Sequence, residues 1–167
     1  MSSKLMMDKW GFIWSPETEK YKDLFMKHLK NFLFQLHNKF PEDRFLEISA
    51  KGIVATSETR IIKEFGQHIM LYKDKIEEAD DDFFISTDFS DHWVEDESDV
   101  TLEEFHFKMD YIKGIWISKG ITREDKKIIW KYLMGFINIY EKYAVARDKA
   151  KEKIEILDYI DRLRSRN

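Results

Sequence analysis

Two prolines and six glycines in 167 residues leave this chain few places where the backbone is forced to turn. Between them apolar residues return at intervals of three and four, the spacing that lines one face of an α-helix. A chain punctuated in this way is expected to fold as helices joined by short breaks. Its 43% hydrophobic and 15% aromatic content is enough for one core of ordinary domain size.

Ser15-Pro16-Glu17 opens the first long segment. Ser15 is an N-cap residue type, and Pro16 at the first helical position gives up an N–H that has no helical partner there. The segment is predicted to run to Phe40, before Pro41, with Tyr21, Leu24, Phe25, Leu29, Phe32, Leu33, Leu36 and Phe40 on one face. Lys20, Lys22, Lys27, Lys30 and Lys39 solvate the remainder. A short helical turn after Pro41 would use Phe45, Leu46 and Ile48 and end near Gly52, which can take the left-handed conformation of a helix C-cap. Ser57 caps a third helix, in which Ile61, Ile62, Phe65, Ile69, Tyr72 and Ile76 repeat at helical spacing and Gly66 costs some helicity.

Further along, Thr101-Leu102-Glu103-Glu104 reads as a capping box that opens a helix carrying Leu102, Phe105, Met109, Ile112 and Trp116 inward. Lys119-Gly120 ends it. Thr122 caps the next helix, with Ile129, Tyr132, Leu133, Phe136, Ile137, Tyr140 and Tyr143 on its apolar face, and the short connection makes the two an antiparallel hairpin. The two tryptophans Trp116 and Trp130 fall at helical positions and are read as packing residues. Ahead of the first helix, Trp10, Phe12 and Trp14 alternate, as in a short strand, an arm over the core or an exposed anchor; the arm is preferred.

Charge is distributed unevenly. From Glu77 to Glu104 there are thirteen carboxylates and no Lys or Arg. With thirteen negative charges here and −4 overall, the remainder of the chain carries +9. Phe83, Phe84, Ile85, Phe89 and Trp93 lie within the acidic stretch, and a purely solvating tail would not need them. Two readings follow: a solvated linker stapled to the core by its aromatics, or a docking site for a basic protein, including nucleic-acid mimicry, in which clustered carboxylates attract Lys and Arg surfaces. Neither Asp80 nor Asp88 starts a calcium loop, because the turn Gly and the regular ligand spacing are missing.

No Gly-rich phosphate loop, His-Glu-x-x-His pair, nucleophile elbow or dinucleotide fingerprint occurs. The absence of Cys removes disulfides, thiolate zinc ligands and cysteine nucleophiles. A metal cluster of Asp88, Asp91 and His92 lacks identifiable supporting ligands, and a surface His among acids is the plainer reading. No cofactor and no catalytic residue is therefore assigned. The first fourteen residues interrupt their apolar content with Lys4, Asp8 and Lys9 and do not form a secretion signal. No run approaches the length of a membrane span.

Beyond Ala144 the sequence turns rich in Lys, Arg, Glu and Asp but keeps Ile154, Ile156, Leu157, Tyr159, Ile160 and Leu163, without Gly or Pro. Leu133, Phe136, Tyr140, Tyr143, Arg147, Ala150, Ile154 and Leu157 follow alternating steps of three and four, the spacing of a coiled-coil seam interrupted by Arg147. The segment from Ile154 to Leu163 is expected to pack against another chain or fold back on the domain.

Phe40-Pro41-Glu42-Asp43 after an amphipathic helix, Asp81-Asp82-Phe83-Phe84-Ile85 followed by Asp88-Phe89, and the run Lys126 to Leu133 with Tyr140-Glu141-Lys142-Tyr143 together resemble uncharacterised helical proteins of large DNA viruses infecting protists and algae. The resemblance spans Tyr21 to Tyr143. It implies a viral origin, a helical domain and a role in virion structure or infected-cell interactions, and it supplies no catalytic residues.

The expected architecture is all-α: about five helices, an acidic aromatic loop and a charged C-terminal helical extension. It divides into an aromatic arm (1–14), a helical domain (15–145) and the extension (146–167). The expected function is a non-enzymatic interaction or structural protein, intracellular, in host cytoplasm or virion. An acidic regulator or nucleic-acid mimic that binds a basic nucleic-acid-binding protein is the alternative, and an enzyme with a dispersed site stands behind both. Partner-binding residues are expected at Asp80, Asp81, Asp82, Phe83, Phe84, Asp88 and Trp93 in the acidic stretch and at Ile154, Leu157 and Ile160 in the extension. The former would meet a basic protein and the latter a protein partner or a second copy, with no direct nucleic-acid or membrane binding.

Overall fold

The computed structural model describes residues 6–7, 13–55, 57–87, 113–117 and 120–166, with the backbone alone at 6, 45, 49 and 52. The expected Thr101 cap, Leu102, Phe105, Met109, Ile112, Trp10 and Phe12 lie outside these residues. The described chain is all-α apart from one two-residue antiparallel pairing, β1 (Met6–Met7) with β2 (Ile13–Trp14). The pairing falls at two points of the stretch expected as an arm, residues 6–7 and 13–14. It covers the core through Ile13, which is buried, while the half-buried Trp14 donates its Nε1–H to Glu19 Oε2 at 3.1 Å.

Helix α1 (Pro16–Lys39) starts as its sequence dictates. Ser15 Oγ accepts from the Thr18 N–H at 3.1 Å and Thr18 Oγ1 accepts from the Ser15 N–H at 2.7 Å, so two N–H groups without helical partners are satisfied reciprocally. Phe25, Met26 and Leu29 are its buried apolar residues. Leu24 was expected on the apolar face but is exposed, because the buried arc centres on Phe25, Met26 and Leu29 and Leu24 falls beyond its edge.

Helix α2 (Arg44–Ala55) corrects the expected short turn. It begins where Asp43 Oδ1 accepts from the Leu46 N–H at 3.1 Å and continues past residue 52 instead of ending there. Helix α3 (Glu58–Met70) is capped by Ser57 as expected, but the single helix foreseen to Ile76 is broken at Leu71 and Tyr72 and resumes as α4 (Lys73–Glu77). Ala79 then takes a positive φ of 50°, a strained conformation for a residue with a Cβ. It leads into α5 (Asp81–Ser86), so the acidic stretch opens as a helix where a loop was expected. Residues 113–117 form a helical segment, α6, that buries Trp116.

Helix α7 (Arg123–Ser165) is one uninterrupted helix of 43 residues, about 65 Å long at 1.5 Å per residue. Thr122 and Asp125 make its capping box. The hairpin helix and the C-terminal extension are thus a single element.

The core lies where α1, α3 and α7 meet. Phe136 is at its centre, with ring centroids of Phe25, Phe65, Phe32 and His28 5.1, 4.9, 5.8 and 4.5 Å away. Offset and edge-on aromatic pairs of this kind add to the gain from burial alone. Two glycines allow the helices to approach. A Cβ on Gly66 would collide with the Tyr140 ring, and one on Gly135 would lie 2.5 Å from His28 Cε1 and Nε2. Gly66 therefore offsets its helical cost by receiving a ring. His28 Nε2 also donates to the Tyr132 carbonyl oxygen at 2.8 Å.

These contacts set α1 antiparallel to α7. Lys39 Nζ meets Asp125 Oδ2 at 2.9 Å, His28 meets Tyr132 and Phe136, and Phe25 meets Phe136. Continuing at equal rise, Pro16 falls opposite about residue 145 and β2 a few residues further. The last buried residue of α7 is Ala150.

Candidate interaction surfaces

The acidic stretch is built into the fold at its start. Asp80 caps α5, its Oδ1 accepting from the Phe83 N–H at 2.9 Å while its Oδ2 lies 3.8 Å from Lys75 Nζ. Asp81 Oδ1 accepts from Trp130 Nε1–H at 3.1 Å, and its Oδ2 lies 3.6 Å from Lys126 Nζ. Asp82 is exposed. Phe83 leans on Tyr72, with centroids 6.3 Å apart, beneath Lys75 Nζ. Phe84 meets Trp116 edge-on at 5.3 Å, and Trp116 meets Trp130 in the same way at 5.2 Å. Lys126 Nζ stands 5.4 Å from the Trp116 ring, and Lys113 Nζ donates to the Thr87 carbonyl oxygen.

These contacts fasten α5 between α4, α6 and α7, and their cause is chemical. Each aromatic body goes to apolar cover while the polar edge of Trp130 finds a carboxylate. Burial pushes the Tyr72 phenol up to about 12, because the ionised form would lose solvation. On the α4 side, a 2.6 Å contact with Glu141 Oε1 raises the Lys73 ammonium above its usual range. Of the site residues expected in the stretch, the structure brings Asp80, Asp81, Phe83 and Phe84 into internal contacts and leaves Asp82 outward. Asp88 and Trp93 lie outside the described residues, as do Asp91 and His92. Among the described residues no group of three or more His, Cys, Asp or Glu could hold a metal, and no helix is long and apolar enough to cross a membrane.

The second surface is the distal end of α7. Phe136, Tyr140, Tyr143, Ala146 and Ala150 are buried, and Ile154 is half-buried. Of the expected seam, only the part up to Ala150 is core. Arg147 sits half-buried within it, hydrogen-bonded to Tyr140 and Asp148, which accounts for a charge at a seam position.

Past Ala150 no residue of α7 is buried. Ile156, Leu157, Tyr159, Ile160 and Leu163 are between 37 and 61% exposed. At 100° per residue, Ile156, Tyr159, Ile160 and Leu163 form a stripe roughly half a turn round the helix from Phe136, Tyr140, Tyr143 and Ala150. Leu157 and Ile160, both foreseen as partner-binding, are exposed, whereas Ile154 lies on the line of the core face. Ile156, Tyr159 and Leu163 lie in the segment expected to pack against another chain or fold back, but were not among the residues singled out as partner-binding. Their own i, i+3, i+4, i+7 spacing with Ile160 marks a separate stripe, masked in the sequence by the seam that precedes it.

No family model, curated protein or solved structure matches this chain.

Proposed function

We propose that this chain is a non-enzymatic interaction protein whose helical core holds the distal part of α7 as a docking element. The observation that carries the reading is the apolar stripe of Ile156, Tyr159, Ile160 and Leu163, exposed on a helix whose other end is locked into the core. Four large apolar side chains over eight positions of one exposed helix form a patch of the kind that partners cover. The viral setting implied by the resemblance rests on the segments quoted for it alone. The acidic alternative is weakened by the internal use of Asp80 and Asp81.

Truncation before Lys151 tests the proposal. The shortened chain is expected to keep its melting temperature and circular dichroism per residue, yet to lose its oligomer or bound protein in light scattering and pull-down. A lower melting temperature with unchanged association would make the segment a stabilising tail. No change in either would leave it without a docking role.

A further inference from the structure

On the reading that distal α7 is a docking element, we propose that its occupant is the same segment of a second copy, paired antiparallel about Tyr159. Charge complementarity along one edge of the stripe selects this occupant. Glu152, Glu155, Tyr159, Arg162 and Arg166 follow steps of three and four on that edge, acids before the tyrosine and bases after it. In an antiparallel pair the same edge of each helix faces its counterpart. Turning one copy end for end therefore sets Glu152 against Arg166 and Glu155 against Arg162, twice each by symmetry. Ile156 then meets Leu163. All three pairings agree on a centre within about one residue, or 1.5 Å of rise, of Tyr159.

A parallel pair gives none of these acid–base matches, because opposite edges then face each other and Glu155 meets Ile160. The span from Glu152 to Arg166 also lies wholly beyond Ala150, the last buried position, so the second helix reaches the stripe without displacing the core. The other edge brings Lys153 near Arg164. Both are long side chains at a solvent boundary that can turn their charges into water. With one helix pair and one attractive edge, the contact falls at the small end of specific interfaces, and a dissociation constant of about 1–100 μM is expected.

Sedimentation equilibrium on the full chain, with circular dichroism to confirm folding, tests this. Glu155→Arg makes both copies of its pair repulsive and is expected to weaken the dimer about tenfold or more. Adding Arg162→Glu to the same chain restores opposite charges and should restore the dimer. The native chain has no cysteine, so single substitutions report geometry cleanly. Tyr159→Cys should form a disulfide-linked dimer on mild oxidation and Lys153→Cys should not. Equal cross-linking at both positions would mean a parallel pair and overturn the proposal, as would a dimer that survives truncation before Lys151. A chain monomeric to about 1 mM also overturns the second copy as occupant. In that case, loss of a heterologous partner on truncation would still uphold the docking element itself.

Discussion

Between Arg123 and Ala150, α7 buries Phe136, Ile137, Tyr140, Tyr143, Ala146 and Ala150; between Lys151 and Ser165 it buries nothing, although the helix is continuous through both. The distal part contains no Gly or Pro, spaces Lys151 from Glu155 and Asp158 from Arg162 by four, and ends with Arg162 and Arg164 in its last turn, where cations favour the helix dipole. Backbone conformation along α7 is thus supported locally, whereas burial is supplied by neighbours. Helix α1 starts at Pro16 and β2 at Ile13, so their cover runs out near Ala150.

The largest test of this contrast places a charge on each half. Phe136→Asp is expected to cost more than about 4 kcal/mol and leave little folded protein, since an unpaired carboxylate would sit at the centre of the core. Ile160→Asp should change stability by no more than about 0.5 kcal/mol in dilute protein. Denaturant titration measures both, and comparable losses would show that the distal half is core.

A smaller effect is expected from the glycines that let helices touch. Gly66→Ala and Gly135→Ala should each destabilise by about 1–3 kcal/mol, because a methyl group must displace the Tyr140 or His28 ring. Gly114→Ala, with open space around it, should instead stabilise by up to about 1 kcal/mol through helix propensity. Stability gained at Gly66 or Gly135 would mean that the rings yield, and that proximal α7 is held less firmly than its contacts imply.

The smallest effect is a pH dependence confined to the covered region. Tyr72 is pushed up from 10.0 to about 12 by burial, and burial also raises the phenol of Tyr143, on proximal α7. The protonated phenols belong to the native state, so their contribution is complete below pH 10; that of Tyr72 is lost as pH climbs through about 12, and that of Tyr143 as pH rises above the usual phenol range. Melting temperature should fall in that window, less so in Tyr72→Phe, and to the same extent in a chain truncated before Lys151. Unequal falls in the full and truncated chains would tie the distal half to the core after all.

The all-α class and the helix starts at Ser15, Ser57 and Thr122 were legible because capping and periodicity are written in consecutive residues. The extension of α2 past residue 52 and the break at Leu71 were not, since both depend on how neighbouring helices fit. At the acidic stretch, composition pointed to aromatics as anchors, and Phe83 and Phe84 are placed so. It could not reveal that Asp81 bonds Trp130, 49 positions away. On α7, apolar content was plain, but the half-turn between its two stripes emerges only when the end of the core face is known.

The contacts of Gly66 with Tyr140 and Gly135 with His28 have a mechanical consequence. They act as two pins set in different neighbours, α3 and α1, and together resist both sliding and rolling of α7. The portion past Ala150 is then a cantilever about 22 Å long. A tilt of only about 5° at the mount would carry its tip about 2 Å, the displacement of a well-seated side chain from its pocket. Stiffness at residues 66 and 135 therefore governs positional accuracy at residues 156 to 163, so a substitution that leaves the stripe untouched still shifts where the stripe stands.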